Sequence, residues 1–395
     1  MSGDDKKTSG LGSLRGRIDQ VDERILAALA DRREVSRGVI ANKMEQSTAL
    51  RDVSREEALL IDRIERGAAH GLDAAYVTRV FHQVIDDSVR LQQELLQAHV
   101  NHEGVSAAPI RVAHLGSHGS FSHGAAGAHF ARRTSRLLTI GCPTFQEVIN
   151  AVETGQAEFG MLPIENTTSG GINEVYDLLL HTRLSIVGEH KSRIEHCLLG
   201  VEGAPIDEIS VVHSHPQPFA QCSAFLRRLN VVELAPTADS AAGVEEVARR
   251  QDPRHAAIGS KAAGRIHGLS VIARDIANHA KNFTRFLVVG PRPVDVDARV
   301  PAKTSLVLST SQQAGSLVEA LLIFRSHKIN LTKLESRPIL GNPWEEMFYV
   351  DVQANVAERR MKTALVELEA FTRQVRVLGS YPSDELKPTQ VDVDE

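Results

Sequence analysis

From residue 11 to residue 97 the chain contains no proline and no run of β-branched residues. Proline removes a backbone donor and clashes with the preceding helical turn, so a stretch this long without one is free to form long helices. Leu14, Ile18, Val21, Ile25 and Leu29 recur at helical spacing, and Val35 and Val39 resume it. Further helices are expected near Arg55 to Gly67 and Asp73 to Ala98, with Gly67 and Gly71 around the break and Asp73 placed as an N-cap. This part is read as all-α.

At Pro109 the pattern changes. Short apolar runs (IRVAHLG, FGMLPIE, LSIVGE, EISVVHS, AAIGS, TRFLVVG) alternate with helical stretches and small-residue turns, the mark of α/β layers. PRPVDVDARVPA, residues 291–302, is proline-rich and aperiodic and reads as a linker. Beyond it TSLVLST, AGSLVEALLIFRSHK, INLTKLESRP, EEMFYVDVQA, a helix near Glu358 to Phe371, and VRVLGSY give βαββαβ, the ferredoxin-like α+β order. The tail from Ser383 holds five acidic residues and one lysine and is expected to lack structure. The chain is thus multidomain: 11–101 helical, 109–290 α/β, 303–382 α+β and 383–395 an acidic tail. A length of 395 residues fits about two to four domains.

Several function classes fall away. A formal net charge of −5 argues against nucleic acid as the main partner. Cys142, Cys197 and Cys222 form no CxxC pair, hence neither a disulfide framework nor a thiolate zinc site. MSGDDKKTSG has no apolar core of a signal peptide, and no run approaches the ~18 apolar residues of a membrane span, so a cytoplasmic protein is expected. Dinucleotide (GxGxxG), Walker A and GxSxG signatures are absent.

In the helical part Arg32 and Lys43 are eleven residues apart, about 20° around a helix axis and roughly 16 Å along it, so both can reach one small dianion. Arg15 is 28 residues from Lys43, about 42 Å along a straight helix, and cannot reach the same ligand in the same chain. If both bind it, Arg15 comes from a second copy, which predicts an intertwined dimer. Asp52, Arg55 and Glu56 share one face near a helix start, and Ser88 and Gln92 share another. On spacing alone a solvated polar surface is the favoured reading of these residues.

The stretch LRGRIDQVDERILAALADRREVSRGVIANK, followed by RDVSREEALL and IDDSVRLQQ, closely resembles the AroQ-type chorismate mutase domain over residues 11–100. The resemblance implies a site of Arg15, Arg32, Lys43, Asp52, Arg55, Glu56, Ser88 and Gln92. Arg15 and Arg32 would clamp carboxylates, Lys43 and Gln92 would donate to the breaking ether oxygen, and Glu56 would hold the ring hydroxyl. Rearrangement of chorismate to prephenate is unimolecular and pericyclic. It requires a held conformer and stabilised charge, without nucleophile, metal or cofactor.

In the α/β part, PIENTTSGGINEVYDLL sets Glu165, Asn166, Thr167, Thr168 and Ser169 between an apolar run and a helix, with Gly170 and Gly171 permitting close backbone approach. SHPQPFAQC carries Ser214, His215, Gln217 and Gln221, and GSHGSFSHGAA feeds a helix. Taken singly these are a cap, a turn and a glycine-rich loop. With NFTRF they closely resemble a prephenate dehydratase domain over residues 110–290, a two-lobed α/β fold similar to periplasmic binding proteins. The resemblance implies site residues Asn166, Ser214, Gln221 and Thr284, with Glu165 and Arg285 in the same motifs. It also implies loss of carbon dioxide and a hydroxyl from prephenate to give phenylpyruvate. An alcohol is a poor general acid, so Thr284 is read as a positioned hydrogen-bond donor to the leaving hydroxyl. Arg285 fits two readings, a carboxylate anchor or a cross-strand pair, and His215 fits a proton donor or a structural turn.

Gly315, Ser316, Leu317 and Val318, at a strand-to-helix turn, and Glu335, Ser336, Arg337 and Pro338, at a strand end, resemble the ligand motifs of the ACT domain fused to such dehydratases. That resemblance implies phenylalanine bound at a dimer interface as inhibitor. The family usually has alanine where Ser316 stands; the contact there is largely backbone. Trp344 is read as a core or interface residue or as part of that site. Together the three resemblances imply a bifunctional enzyme of phenylalanine synthesis, with chorismate and prephenate as substrates, no cofactor, no metal, no nucleic-acid or membrane partner, and a homodimer or higher homo-oligomer. A ligand-binding regulator, or a dehydratase preferring arogenate, are the alternatives.

Overall fold

A computed structural model gives the structure of the protein and describes residues 5–46, 50–101, 109–131, 133, 136–229, 233–311, 313–339 and 345–384. Trp344 and tail residues 385–395 lie outside the described residues. The chain divides after Gly104 into two compact units.

The first unit is helical: α1 (Asp5–Gln46), α2 (Val53–Ala69) and α3 (Ala74–Val100). Asp52 caps α2 by accepting from Arg55 N–H, and Asp73 caps α3 by accepting from Tyr76 N–H, as the sequence predicts for Asp73. Leu60, Ile85 and Val89 form a small core between α2 and α3. The last third of α1 packs on α3 and buries Ile40. Its first half does not. Leu14 is 54% exposed and Ile18 58%, and Val21, Ile25 and Leu29 are exposed with them. A helix of 42 residues, about 63 Å long, thus presents these apolar side chains with no partner among the described residues.

The described residues of the second unit form three sheets. β1 (Ile110–Leu115), α4 (Phe121–Phe130), β2 (Leu137–Cys142), α5 (Phe145–Glu153), β3 (Phe159–Asn166), β4 (Gly170–Gly171), α6 (Asn173–His181) and β5 (Ser185–Arg193) come first. The chain then crosses to β6 (Cys197–Gly200), β7 (Val211–Ser214), α7 (Pro216–Gln221), α8 (Ser223–Leu226), β8 (Glu233–Pro236), α9 (Ser240–Arg250), β9 (His255–Gly259), α10 (Lys261–Ile266) and β10 (Ser270–Ala273). It returns as β11 (Phe283–Gly290). The first sheet has the order β2-β1-β3-β11-β5 with β4 on β3, and the second β10-β6-β9-β7-β8. The chain therefore builds one lobe, crosses, builds the other, and closes the first with its last strand, giving two α/β lobes joined by two crossings. β11 lies antiparallel between β3 and β5, in a register that sets Thr284 opposite Asn166 and Arg285 opposite Glu165.

β12 (Ala302–Ser309), α11 (Ser316–Ser326), β13 (Leu331–Pro338), β14 (Glu346–Val352), α12 (Arg359–Phe371) and β15 (Gln374–Pro382) complete the expected βαββαβ order, with the sheet β13-β14-β12-β15. Every residue of β12 is buried, because both faces are covered. Leu306 and Leu308 pack under α11 and α12 with Phe324, Met361 and Leu368. On the other face Val307 joins Tyr349, Leu378 and Tyr381 in one apolar cluster with Leu162, Val175, Tyr176 and Ile186 of the first lobe. The ferredoxin-like module and the α/β lobes thus share a core across the linker. The start of the tail is also held: Ser383 N–H donates to Pro301 O (2.8 Å), and Asp384 N–H donates to Glu189 Oε1 (3.0 Å).

Candidate active sites

In the helical unit, α1 and α3 bring Arg32, Lys43, Ser88 and Gln92 together. Arg32 Nη1 donates to Val84 O (3.0 Å) and to the Ser88 hydroxyl, so Ser88 holds the guanidinium. Lys43 Nζ donates to Leu50 O and to Gln92 Oε1 (3.2 Å). That bond orients the Gln92 amide, with Nε2 on its far side. Partial burial lowers the Lys43 ammonium below the ordinary lysine value, Asp52 and Glu56 oppose the shift, and Arg55 adds to it. The same neighbours place the start of α2 beside Lys43. Asp52 serves there as the helix cap, and Arg55 is exposed. Arg15 lies on the same unbroken helix as Lys43, 28 residues away, and stands apart from the cluster. Arg51 is the residue that motif reading passed over: its Nε donates to both Glu56 oxygens at 3.0 Å, which fixes that carboxylate.

In the second unit a cleft of about 920 Å³ opens between the two lobes. Asn166, Thr284 and Phe286 line it from the first lobe, Gln217, Gln221 and Asp239 from the second, and His196 from a crossing. Among the described lining residues there is no lysine or arginine. The first turns of α4, α5 and α9 point at the wall instead, where their caps Ser120, Thr144 and Asp239 sit, and the positive ends of those helix dipoles lie beside the carboxylates of Asp239 and Glu174. Asn166 is the hub. Its Nδ2 donates to Thr284 Oγ1 (2.9 Å), Asn282 Oδ1 (2.7 Å) and Phe283 O (3.1 Å). Its Oδ1 accepts from the backbone N–H groups of Thr168 (2.9 Å) and Ser169 (3.1 Å) and from both their hydroxyls. Gln221 Nε2 crosses the cleft to Thr168 Oγ1 (2.8 Å), and Gln217 Nε2 to Ser169 Oγ (2.6 Å). Since Thr284 Oγ1 accepts from Asn166, its own proton has no acceptor among the described residues and is available to a ligand.

Ser214 and His215 stand differently to the cleft. Ser214 is fully buried, lies outside the lining, and donates its hydroxyl to Ile258 O (2.9 Å), a bond within the second lobe. His215 lines the cleft and also caps α7, its Nδ1 accepting from Gln217 N–H (3.2 Å), a bond that belongs to the turn reading.

Arg285 faces away from the cleft, because neighbouring residues of a strand point to opposite sides of a sheet. Behind the sheet its Nε donates to Glu189 (2.7 Å), Nη1 to Glu165 (3.2 Å) and Asp351 (2.5 Å), and Nη2 to Tyr381 (3.0 Å). Lys303 donates to both Glu189 oxygens at 3.0 Å. Of the two readings open for Arg285, cross-strand pairing is the one observed, extended into the third sheet. Lys333 of β13 bridges Glu165 (3.0 Å) to Glu335 (3.1 Å), and Arg337 forms a bidentate pair with Asp177 of α6 (2.9 and 2.7 Å). Gly315 adopts a positive φ of 88° at the start of α11, and Ser316 is buried against Ser311 (2.8 Å). Leu317 is half-buried and Val318 exposed. β14 separates β13 from β12, so Glu335, Ser336, Arg337 and Pro338 do not meet residues 315–318 within one chain.

Residues 14–93 match the family model of chorismate mutase type II, and residues 112–294 that of prephenate dehydratase. Over 376 residues the chain is 49% identical to the bifunctional chorismate mutase/prephenate dehydratase of Escherichia coli, covering 95% of this chain and 97% of that one. The chain belongs to the bifunctional chorismate mutase/prephenate dehydratase family. It is an enzyme with both activities. Among solved structures, the prephenate dehydratase of Arthrobacter aurescens in complex with L-Phe is 27% identical with a TM-score of 0.64, covering 71% of this chain and 93% of that one. A quorum-quenching acylase is 31% identical with a TM-score of 0.63, covering 69% and 98%. Among the described residues no helix is long and apolar enough to cross a membrane, and no group of three or more ligating side chains is placed to hold a metal.

Proposed function

We propose that chorismate is rearranged at the Arg32–Lys43–Gln92 cluster and that prephenate is dehydrated in the interlobe cleft, with phenylalanine acting through the third sheet. The observation that carries the first assignment is the convergence of Lys43 and Gln92 from α1 and α3. Arg32 takes a carboxylate, Lys43 and Gln92 meet the ether oxygen as charge grows there, and Glu56, held by Arg51, takes the ring hydroxyl. The second carboxylate is met by Arg15 of the partner subunit. A homodimer supplies that residue and covers the apolar stripe of α1, whose isolated exposure in water is unfavourable.

In the cleft, the substrate carboxylates are met by N–H groups of the first turns of α4 and α5 and by hydroxyls, in keeping with a wall without cationic side chains. Asn166 donates to Thr284 Oγ1, which turns the Thr284 proton toward the departing ring hydroxyl. The electron pair of the carbon–carboxylate bond enters the ring as carbon dioxide leaves. The hydroxyl departs with its bonding pair, held by the Thr284 hydrogen bond, and takes one proton from solvent in the open cleft to leave as water, and the ring becomes aromatic. We read residues 109–290 as the dehydratase domain, with lobes of the periplasmic-binding-protein kind, and residues 303–382 as an ACT domain. Residues 315–318 of one copy and 335–338 of another would form the phenylalanine site, since β14 keeps them apart within a chain. The working compartment is proposed to be the cytoplasm. Incubation of the purified chain with chorismate, followed for prephenate and then phenylpyruvate with and without phenylalanine, tests the scheme. Phenylpyruvate formation indifferent to phenylalanine would remove the regulatory part, and prephenate accumulating alone would remove the cleft assignment.

A further inference from the structure

The two crossings between the lobes run side by side: Ile194 N–H donates to Asn282 O (2.8 Å), and Ile276 N–H donates to His196 O (3.2 Å). His196, at the end of the first crossing, belongs to the cleft wall yet is only 1% exposed. Its ring meets the edge of Phe121 at 5.3 Å and 86°, and its Nε2 lies 2.7 Å from Gln221 Oε1.

The direction of that bond follows from the backbone. Thr168 and Ser169 N–H groups can only donate, so the Asn166 atom facing them is Oδ1, and Nδ2 faces Asn282. Asn282 then presents Oδ1 to Asn166 and turns Nδ2 toward Gln221 Oε1 (3.5 Å). Gln221 in turn offers Nε2 to the Thr168 hydroxyl (2.8 Å) and the Ser169 hydroxyl (3.3 Å). The imidazole nitrogen against Oε1 must therefore carry the proton. The other, Nδ1, is buried with no partner among the described residues. Burial lowers the His196 pKa, with the Gln221 bond partly opposing, so the ring is the neutral Nε2–H tautomer.

We infer that His196 is a positioning residue of the dehydratase reaction, holding the Gln221 amide with Nε2 turned to the Thr168 and Ser169 hydroxyls. Those hydroxyls can accept or donate, and they do not by themselves select an orientation of Gln221; the long contacts to Asn282 Nδ2 and Asn166 Oδ1 (3.5 Å each) favour the observed one, and the His196 Nε2–H at 2.7 Å from Oε1 is the short bond that holds it. With Gln221 reversed, its Oε1 draws the Thr168 proton away from Asn166 Oδ1, where it now rests. Asn166 in turn holds Thr284. The chain His196–Gln221–Thr168–Asn166–Thr284 thus connects a lobe crossing to the group that meets the leaving hydroxyl.

This inference rests on the cleft being the dehydratase site, and the test separates the two. In the full chain, His196→Leu lowers dehydratase kcat by about 10- to 100-fold, the cost of a misplaced reacting group, with a smaller change in KM. His196→Gln, which keeps a side-chain N–H donor within reach of Gln221 Oε1, recovers most of the rate. In a Gln221→Ala background His196→Leu has no further effect, because the residue it acts through is gone. A wild-type rate in His196→Leu, equal impairment of both His196 variants, or losses that multiply in the double variant would each overturn the inference. A wild-type rate in Gln221→Ala alone would instead overturn the assignment of the cleft.

Discussion

Thr284 and Arg285 are adjacent on β11, and their replacement should produce opposite phenotypes. Arg285→Leu removes the cation shared by Glu189, Asp351, Glu165 and Tyr381 behind the sheet. Breaking a buried ion pair by deleting one partner costs about 3–5 kcal/mol, because the remaining charge is left desolvated. Lys303 still holds Glu189, and Ser305 still donates to Asp351, which places the cost near the lower end. About 3 kcal/mol corresponds to a fall of roughly 6–12 °C in the melting temperature of a unit this size. The penalty should also depend on pH. Burial alone would raise Glu189 and Glu165, but their cationic neighbours (Arg285 and Lys303 for Glu189, Lys333 and Arg285 for Glu165) hold both below the ordinary carboxylate value of 4.5. Depressed carboxylates contribute stability that is present above the unfolded value and is lost as pH falls through the folded one. Without Arg285 that contribution shrinks, so the gap between variant and wild type is widest near pH 7 and narrows toward pH 4. Scanning calorimetry of the two proteins across that range measures it. Thr284→Val is the converse: dehydratase turnover falls by about 10²- to 10³-fold, the effect of losing one positioned hydrogen-bond donor, while melting temperature and mutase turnover stay put. An Arg285→Leu protein that melts with the wild type, or whose deficit is the same at pH 4 and pH 7, would refute the electrostatic account of the interface.

Three further outcomes are expected. Mutase turnover should fall as pH rises through the Lys43 pKa, because the ammonium is the donor form, with an inflection below the ordinary 10.5; Lys43→Met should show low turnover and no such limb. Arg15→Ala and Lys43→Ala proteins should each lack mutase activity. Dissociated, mixed in equal amounts and reassociated, they should recover about a quarter of the wild-type rate, since half the dimers are mixed and each mixed dimer has one intact site; no recovery would exclude a site shared between copies. Lys333→Met should leave the uninhibited dehydratase rate nearly unchanged and raise the phenylalanine concentration for half-inhibition at least about fivefold, a coupling near 1 kcal/mol. An unaltered inhibition curve would remove Lys333 from the path.

What could be read in the sequence follows from which interactions are local. The apolar stripe of α1, the Asp73 cap and the βαββαβ order depend on residues a few positions apart, and the structure has them where periodicity placed them. Facing direction was harder. A period of two puts Thr284 and Arg285 on opposite sides of β11, yet FLVVG is buried on both sides, so nothing local says which side is the cleft. At Ser214, a residue's place in a motif does not reveal that its hydroxyl donates to Ile258 O, 44 positions on. His196 stands in IEHCLLG, at the start of an apolar strand, and its partner Gln221 is 25 residues away. The folding of β6 and α7 into one lobe brings the two together.

The same alternation gives the third sheet its leverage. On β3 Asn166 faces the cleft and Glu165 the rear; on β11 Thr284 and Arg285 divide likewise. Lys303 and Ser305 of β12 are buried against that rear surface with Glu189 and Asp351. Each catalytic candidate on the strand pair therefore has an immediate neighbour bonded to the ferredoxin-like module, and Glu335 reaches Glu165 through Lys333. On the proposed scheme, a ligand that binds residue 335 more tightly in one arrangement of the module than in another would act on the partners of Lys333, and Glu165 is one peptide unit from Asn166. Differential binding is what such coupling requires, and a salt-bridged charge on the backbone neighbour of the hub amide is a short physical route for it.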